Sequence, residues 1–460
     1  MLRLFPYFLI VFLTGSLINP ASAQNTIVLT WNDVVGISRI ENLDLAIQKK
    51  EYQYQKYNEW KAISDFLPSV DYQYQVTKNI ELPVFVFEIQ EMGQTVRQEV
   101  RVGADYNFTH AFQLSLPIFT GGSRFANWRI QKNLKKSVRE QLRDKEDDIV
   151  LQSLEAYFNL MLASSLIDVN SQSVEAAKAN LDQVEKFYEA GAASKLDYLR
   201  AKARYSSTLP PMTTAVNSKK MAEQNLKFLL NIDKDDSLVV LDQLKQMMFL
   251  DENNLSPLSE LQENAITDRP DIAGMEFQNK AVGDQRIIAA SRFLPSVAMN
   301  ASVQHQAQSN TSDVSSEDYI RVKSATLSVQ LPLFEGGKRL IDLQQSKIKN
   351  KQSAIQLDLL KKSIYLDVEN NYNRFREART NLVSLKEASE ETKEALRLAD
   401  LNYREGIITQ VEVLTAQLSF ITSEEEYRNG IYQYNVSQLR LLRSIGKLKT
   451  IWNQQENNHE

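Results

Sequence analysis

Three markers in this chain each occur twice, in the same order. Ser64-Asp65-Phe66-Leu67-Pro68-Ser69-Val70 returns as Ser291-Arg292-Phe293-Leu294-Pro295-Ser296-Val297. Leu116-Pro117-Ile118-Phe119-Thr120-Gly121-Gly122 returns as Leu331-Pro332-Leu333-Phe334-Glu335-Gly336-Gly337. Tyr188-Glu189-Ala190-Gly191 returns as Tyr403-Arg404-Glu405-Gly406, and a leucine, Leu199 or Leu414, follows eight residues after each glycine. Such order implies a tandem duplication, so whatever one half folds into, the other must fold into as well. The chain has 460 residues. A single core stops growing at about 250–300 residues, so the halves share an elongated or multi-unit fold.

Between the first two markers the pattern has a period of two. Val70, Tyr72, Tyr74 and Val76 alternate with Asp71, Gln73, Gln75 and Thr77. Further on, Tyr106, Phe108, Phe112, Leu114 and Leu116 share a face opposite Asn107, Thr109, Gln113 and Ser115. The second half repeats this with Val297, Met299, Ala301 and Val303, then Ala325, Leu327, Val329 and Leu331. Alternation over about ten residues suits a membrane β-strand, though one such hairpin alone would equally suit a soluble sheet. The connections 77–105 and 305–319 read as loops, and Val84-Phe85-Val86-Phe87 could extend the first hairpin.

After each Gly-Gly the period changes. Leu160, Ile167, Val174, Leu181 and Tyr188 stand seven apart, as do Phe375, Leu382, Leu396 and Tyr403 with Ser389 filling the gap. That spacing is a coiled-coil seam. Only 14 glycines and 11 prolines interrupt the chain, which favours long helices. The expected organisation is a first repeat at 24–230, with hairpin 68–117, long helix 123–190, a tip turn near 191 and a return helix. A linker or equatorial segment spans 231–265. A second repeat covers 266–448, with hairpin 295–332, long helix 338–404, a tip turn near 406 and another return. A polar tail occupies 449–460. Pro210-Pro211 should bend or break the first return, and Asp268-Arg269-Pro270-Asp271 reads as a helix break.

Residues 1–23 read as a secretory signal peptide: Arg3, the apolar run Leu4–Leu13, and Ala21-Ser22-Ala23 before Gln24. No later run approaches the roughly 18 apolar residues of a membrane helix. Composition removes other classes. Net charge is −5, unlike a basic nucleic-acid binder. Cysteine is absent, which excludes disulfides, thiolate metal sites and an acylated N-terminal cysteine. The three histidines, His110, His305 and His459, have no metal-ligand spacing, and no nucleotide or hydrolase motif is present. No enzyme, metal or cofactor is expected.

Four strands per chain cannot close a membrane barrel, because known barrels begin at about eight and open edges in lipid cost several kcal/mol per unpaired group. Copies must share the barrel. With the duplicated markers, Arg269-Pro270-Asp271, and Tyr403-Arg404-Glu405-Gly406 leading to Val413-Leu414-Thr415-Ala416-Gln417, the chain resembles the TolC-like outer membrane efflux family over about residues 27–448. The resemblance implies a mainly α fold with membrane β. Each chain would give four strands to a trimer-shared twelve-strand barrel, continuous with a long α-helical coiled-coil barrel in the periplasm. It implies a passive exit duct for efflux or type I secretion, working with a periplasmic adaptor protein and an inner-membrane pump of RND, ABC or MFS type. The alternative is a non-pore periplasmic coiled-coil adaptor or scaffold, against which two hairpins with matched strand pairs argue.

The resemblance also assigns residues. Adaptor docking falls on the tip turns Gly191-Ala192 and Gly406-Ile407, where a plain helix C-cap is the competing reading. A periplasmic gate falls on Asp197 and Tyr403, which would hydrogen-bond between hairpins, and on Glu412, which would appear once per copy around a narrow pore. The family's second acidic position is Thr415 here, and its basic lock residue is Ile408. A solvated helix carboxylate and heptad packing are the competing readings for Glu412 and Tyr403. Pro117, Gly121, Gly122, Pro332, Gly336 and Gly337 are the strand-to-helix turns, and outer membrane lipid faces the aromatic strand positions.

Overall fold

A computed structural model describes residues 26–91, 94–251 and 255–452. The expected signal peptide and the tail from Asn453 onward lie outside the described residues. In chain order the elements are β1 Thr26–Leu29, α1 Trp31–Glu41, α2 Leu43–Ser64, β2 Ser69–Lys78, β3 Val84–Glu91, β4 Gln94–Arg101, β5 Tyr106–Thr120, α3 Ser123–Glu189, α4 Lys195–Leu230, β6 Ser237–Val240, α5 Leu258–Asp268, α6 Pro270–Ser291, β7 Ser296–Ser309, β8 Ile320–Gln330, α7 Lys338–Arg404 and α8 Gln410–Ser444. The duplication is visible element by element: α1-α2-β2-β5-α3-α4 corresponds to α5-α6-β7-β8-α7-α8. Both long helices have 67 residues, about 100 Å at 1.5 Å per residue.

The main sheet is antiparallel with order β2-β5-β7-β8. The two hairpins have one register: Ser69 pairs Ser115 in the first, and the corresponding Ser296 pairs Gln330 in the second. The β5·β7 contact joins the repeats. The register keeps the faces pure. Val70, Leu114, Ala301 and Ala325 lie in line across the four strands, and so do Asp71, Gln113, Ser302 and Ser324. Strands β3 and β4 form a separate two-stranded sheet, so Val84–Phe87 does not extend the main hairpin.

Chain contacts divide the protein into two compact units. Among the described residues, the first comprises those of 26–42, 152–247 and 381–436, and the second those of 43–151, 248–380 and 437–452. Each unit draws on both repeats, so the duplicated halves are not the compact units. The second unit holds the main sheet, α2, α5 and α6. The first holds the tip turns and a parallel β1·β6 pair with Thr26 opposite Ser237. Beside that pair Asp242 accepts the Tyr157 hydroxyl at 2.6 Å and the Trp31 amide at 3.4 Å.

Several expectations are corrected. The segment 231–265 is not a plain linker: it contains β6 and most of α5. The second repeat therefore starts with a two-helix entry, like the first. The entry of the first repeat breaks at Asn42, whose extended backbone separates α1 from α2. Arg269 does the same between α5 and α6. The prolines do not break α4, which runs unbroken from Lys195 to Leu230. Thr208 and Ala215 are buried on either side of them, and packing of that face outweighs the lost backbone bonds. In α3 the heptad column buried throughout is Ala156, Ala163, Asn170, Ala177 and Val184, one turn away from the expected stripe, of which only Leu160 is fully buried. Small residues let helices approach closely. In α7 the stripe is as read, but Ser389 is no gap, because its buried hydroxyl donates to Glu424 at 2.5 Å. By length and composition α3 could cross a bilayer, contrary to the expectation of no such run, yet most of its apolar stretch is buried within the protein. Ile451 and Trp452 are buried as well, so the polar tail begins later than Lys449.

Candidate functional site

The tip turns are built from local hydrogen bonds. Gly191 and Gly406 have φ of +74° and +73°. The Ala192 amide donates to the Phe187 carbonyl at 2.7 Å, and the Ile407 amide to the Asn402 carbonyl at 2.8 Å. These are Schellman closures with glycine in the left-handed position. A Cβ at either glycine would meet nothing within 4 Å, so conformation and not crowding selects glycine. Ala192 and Ile407 are exposed at the apices.

Each return helix opens with a capping-box spacing, Ser194-x-x-Asp197 and Thr409-x-x-Glu412. The Asp197 amide donates to Ser194 Oγ at 3.1 Å, and that hydroxyl donates to Asp197 Oδ2 at 2.7 Å. Glu412 Oε2 accepts both the Thr409 amide at 2.7 Å and the Thr409 hydroxyl at 2.9 Å. These bonds hold the exposed Glu412 carboxyl below its ordinary pKa. Asp197 also lies 3.7 Å from the Arg200 guanidinium. Among the described residues no hydrogen bond joins Asp197 to Tyr403, and the Asp197 carboxylate is engaged by Ser194 and Arg200. Tyr403 is half-buried, and burial first, then the Asp197 charge, raises its pKa.

Sequence reading missed other contacts at the tip and along the helices that lead to it. Tyr188 and Tyr198 stack at 5.5 Å with planes 11° apart. Gln410 Nε2 donates to Asn180 Oδ1 at 3.3 Å in a buried site, and Asn170 Nδ2 donates to Glu425 at 3.0 Å. Nothing local marks these long-range amide pairs. The caps, in contrast, were legible as Ser/Thr three residues before an acid.

The strand-to-helix turns are glycine pairs with positive φ: Gly121 +63°, Gly122 +87°, Gly336 +60° and Gly337 +80°. Pro117 sits at the register shift between β5 and β7, where a bulge tolerates the missing amide. Pro332 lies beyond the end of β8. Beside each turn an arginine ties the long helix to the turn that precedes the hairpin. Arg124 donates to the Asp65 carbonyl at 3.0 Å and lies 5.2 Å from the Phe66 ring. Arg339 donates to the Arg292 carbonyl at 3.2 Å and lies 5.4 Å from Phe293.

Among the described residues no acidic or histidine cluster could hold a metal. Known proteins give the frame for this geometry. Residues 62–231 and 261–447 match the family described as outer membrane efflux protein. The chain belongs to that family. Outer membrane protein TolC of Escherichia coli is 20% identical over 384 residues, covering 78% of this chain and 77% of TolC. The alkaline protease secretion protein AprF of Pseudomonas aeruginosa is 19% identical over 351 residues, covering 75% of this chain and 71% of AprF. Among solved structures, the Campylobacter jejuni CmeC outer membrane channel superposes with a TM-score of 0.75 at 16% identity, covering 93% of this chain and 88% of CmeC. The fold is therefore that of the outer membrane channels, with long helices and a strand set too small to close a barrel in one chain. The family and its structural neighbours are channels and not enzymes. Its place in the outer membrane and its role as an efflux or secretion exit duct follow.

Proposed function

We propose that three copies close one twelve-strand barrel and a helical tunnel, through which small molecules or proteins leave without chemistry on this chain. A periplasmic adaptor docks on Gly191-Ala192 and Gly406-Ile407, and an inner-membrane pump of RND, ABC or MFS type supplies the cargo. The observation that carries this reading is the four-stranded sheet. Its outer strands β2 and β8 each have one unpaired edge, and Tyr72, Tyr74, Leu327 and Val329 expose an apolar face. Such edges are unstable in hydrocarbon unless other copies pair with them.

The gate is assigned to Asp197, Tyr403 and Glu412. Glu412 is held ionised by Thr409, so copies of it around a narrow opening repel one another and attract cations. Tyr403 and Asp197 lie close enough to interact electrostatically, and loss of both loosens the tip. In planar bilayers Asp197→Ala with Tyr403→Phe is expected to raise conductance several-fold. Unchanged conductance removes these residues from the gate. The mass of the mature protein in mild detergent tests the assembly, with a trimer expected and a monomer overturning it.

A further inference from the structure

The four strands of the main sheet hold three Lys or Arg residues, Lys78, Arg321 and Lys323, and one carboxylate, Asp71. All four strands join helices at one end. Those helices are periplasmic in this family, so the other end, with Lys78, Tyr106, Ser309 and Ile320, lies toward the outer leaflet. The register places the three cations in that outer half and on the apolar face. Tyr74, His110, His305 and Arg321 form one row, and Tyr72, Phe112, Val303 and Lys323 form the next. Asp71 is on the opposite face.

The duplication shows that these cations are not required by the strand itself. With the offset that relates the Gly-Gly turns, Arg321 and Lys323 stand where the first repeat has Tyr106 and Phe108. A Lys or Arg on a lipid face is costly at depth, and the cost falls near the interface, where a long side chain reaches the headgroups. Other cations at the two ends of the sheet have partners. At the helix end Arg292 meets Asp342 and Arg339 meets Glu335. At the outer end Lys78 lies over the Tyr106 ring at 5.5 Å. Arg321 and Lys323 are exposed, and among the described residues neither has an ion pair, hydrogen bond or ring partner.

The surface beside them is ordered. His110 Nδ1 lies 2.7 Å from the Tyr72 hydroxyl and Nε2 lies 3.2 Å from the Tyr319 hydroxyl, while Tyr74 stacks on the ring at 4.4 Å. Tyr319, just before β8, reaches His110 on β5 across β7, where Ala307 is 2% exposed. This clasp engages both His110 nitrogens. His305 is left as the ring paired with Arg321 in the β7–β8 ladder. On the helix side of Lys323 the same face of β8 is apolar, with Ala325, Leu327 and Val329.

We propose that Arg321, Lys323 and the His305 ring hold a phosphate group of an outer-leaflet glycolipid, whose acyl chains lie along Ala325, Leu327 and Val329. Arginine offers a planar pair of donors that matches phosphate oxygens, and lysine adds a point charge. Two unpaired cations above an apolar strip complement an anionic headgroup above its chains. Inorganic phosphate shares the headgroup chemistry but has nothing to lay on the strip. The site is complete on one chain, and it rests on the barrel proposed above only for which face meets lipid.

Protein stripped of lipid in mild detergent is to be titrated with a synthetic bisphosphorylated acyl-disaccharide, its dephosphorylated form and inorganic phosphate, with bound lipid counted by native mass spectrometry. The phosphorylated lipid is expected to bind at least about tenfold more tightly than the dephosphorylated one, as charged hydrogen bonds allow. Millimolar inorganic phosphate should not displace it. Arg321→Gln with Lys323→Gln is expected to erase the preference, and Arg321→Lys with Lys323→Arg to keep it. Lys362→Gln with Lys386→Gln, which removes the same charge from exposed positions on α7, should leave it unchanged. Equal binding of the two lipids by the unaltered protein overturns the phosphate site, whatever the variants do. Displacement by inorganic phosphate overturns the lipid as its source. A preference that survives Arg321→Gln with Lys323→Gln, in an oligomer of unchanged mass, overturns the residue assignment and leaves the shared duct standing. A monomeric mass overturns the barrel and this site together.

Discussion

The tip turns and the strand-to-helix turns are both glycine turns made twice, yet only the first kind looks the same in both repeats. Gly191 and Gly406 sit in matching closures whose donors and acceptors lie within a few residues of each other. Gly121 and Gly336 have nearly equal φ, but Gly121 is pressed against Ser291 while Gly336 faces open space. A turn closed by local hydrogen bonds forms wherever its sequence occurs. A turn whose last contact is a strand or helix elsewhere forms fully only when that element is present.

The largest effect should come from breaking the second kind. Gly121→Ala incurs left-handed strain of about 1–2 kcal/mol and also drives a Cβ into the Ser291 carbonyl, 2.5 Å away. Heat-resistant oligomer in outer membranes, read on unheated gels, is expected to fall at least tenfold. Gly191→Ala carries the strain without the overlap and should leave oligomer near the wild-type level. Gly336→Ala sharpens the comparison. In a single chain it should behave like Gly191→Ala, whereas with a neighbour packed on it the loss should match Gly121→Ala.

The helix breaks before α2 and α6 give the next contrast. Asn42 Nδ2 donates across its break to the Leu229 carbonyl at 2.8 Å. Arg269 is nearly buried and binds Asp271 at 2.8 Å, Asp367 at 2.6 Å and the Ser444 carbonyl at 3.0 Å. Removing one partner of such a network costs about 3 kcal/mol, against about 1 kcal/mol for a single neutral bond. Arg269→Ala should therefore lower the thermal midpoint in detergent further than Asn42→Ala, which removes the neutral bond to Leu229. Equal shifts would mean that the network only offsets its own desolvation.

These residues also show what sequence could and could not reveal. The duplicated markers, the period-two strands and the Gly-Gly turns were readable because each rests on local pattern. The break at Arg269 was readable because Pro270 follows it. Its twin at Asn42 was not, since asparagine followed by Leu43 carries no breaker and the cap is a bond to distant Leu229. Strand β1 escaped for the same reason: its parallel partner β6 lies far along the chain. Pro210-Pro211 misled in the opposite direction, because tertiary packing held a helix that local rules would end. At the candidate gate the residue types were legible, but the state of Asp197 was not. Its capping bond competes with the long-range bond to Tyr403, and sequence does not rank the two.

Burial separates another pair of equivalent positions, Asp147 on α3 and Lys362 on α7. Lys362 is exposed beside Asp358. Asp147 is 2% exposed, and its Oδ1 has no partner. Burial, opposed by Lys449 and Arg443, pushes its carboxyl up from 3.8 to about 6. A raised carboxyl pKa means the folded state holds the proton more tightly than the unfolded chain. Stability from this group is therefore complete below about pH 4 and is lost as pH rises through 6, by on the order of 3 kcal/mol. Asp147→Asn should raise the thermal midpoint at pH 7.5, by about 2 kcal/mol equivalent, and should change nothing at pH 4. Equal midpoints at both pH values would mean that Lys449 and Arg443 fully compensate the buried charge.

The smallest effect distinguishes the two tips from each other. At the first, the Ser194 hydroxyl accepts the Asp197 amide, so Ser194→Ala removes a true cap worth about 1 kcal/mol. At the second, the Glu412 amide instead donates to the Thr409 carbonyl at 3.2 Å, and the Glu412 carboxylate reaches back to Thr409. Here the acid and not the hydroxyl closes the helix start. A carboxyl held below its ordinary pKa contributes above the ordinary glutamate range and loses that contribution as pH falls through its lowered value. Amide exchange should therefore accelerate about fivefold near Asp197 in Ser194→Ala, at any pH. At the Thr409 amide, Glu412→Ala should remove protection at neutral pH, and acidification should weaken it in the unaltered protein. Protection of the Thr409 amide that survives in Glu412→Ala would show that the second tip is held by other contacts and not by its own cap.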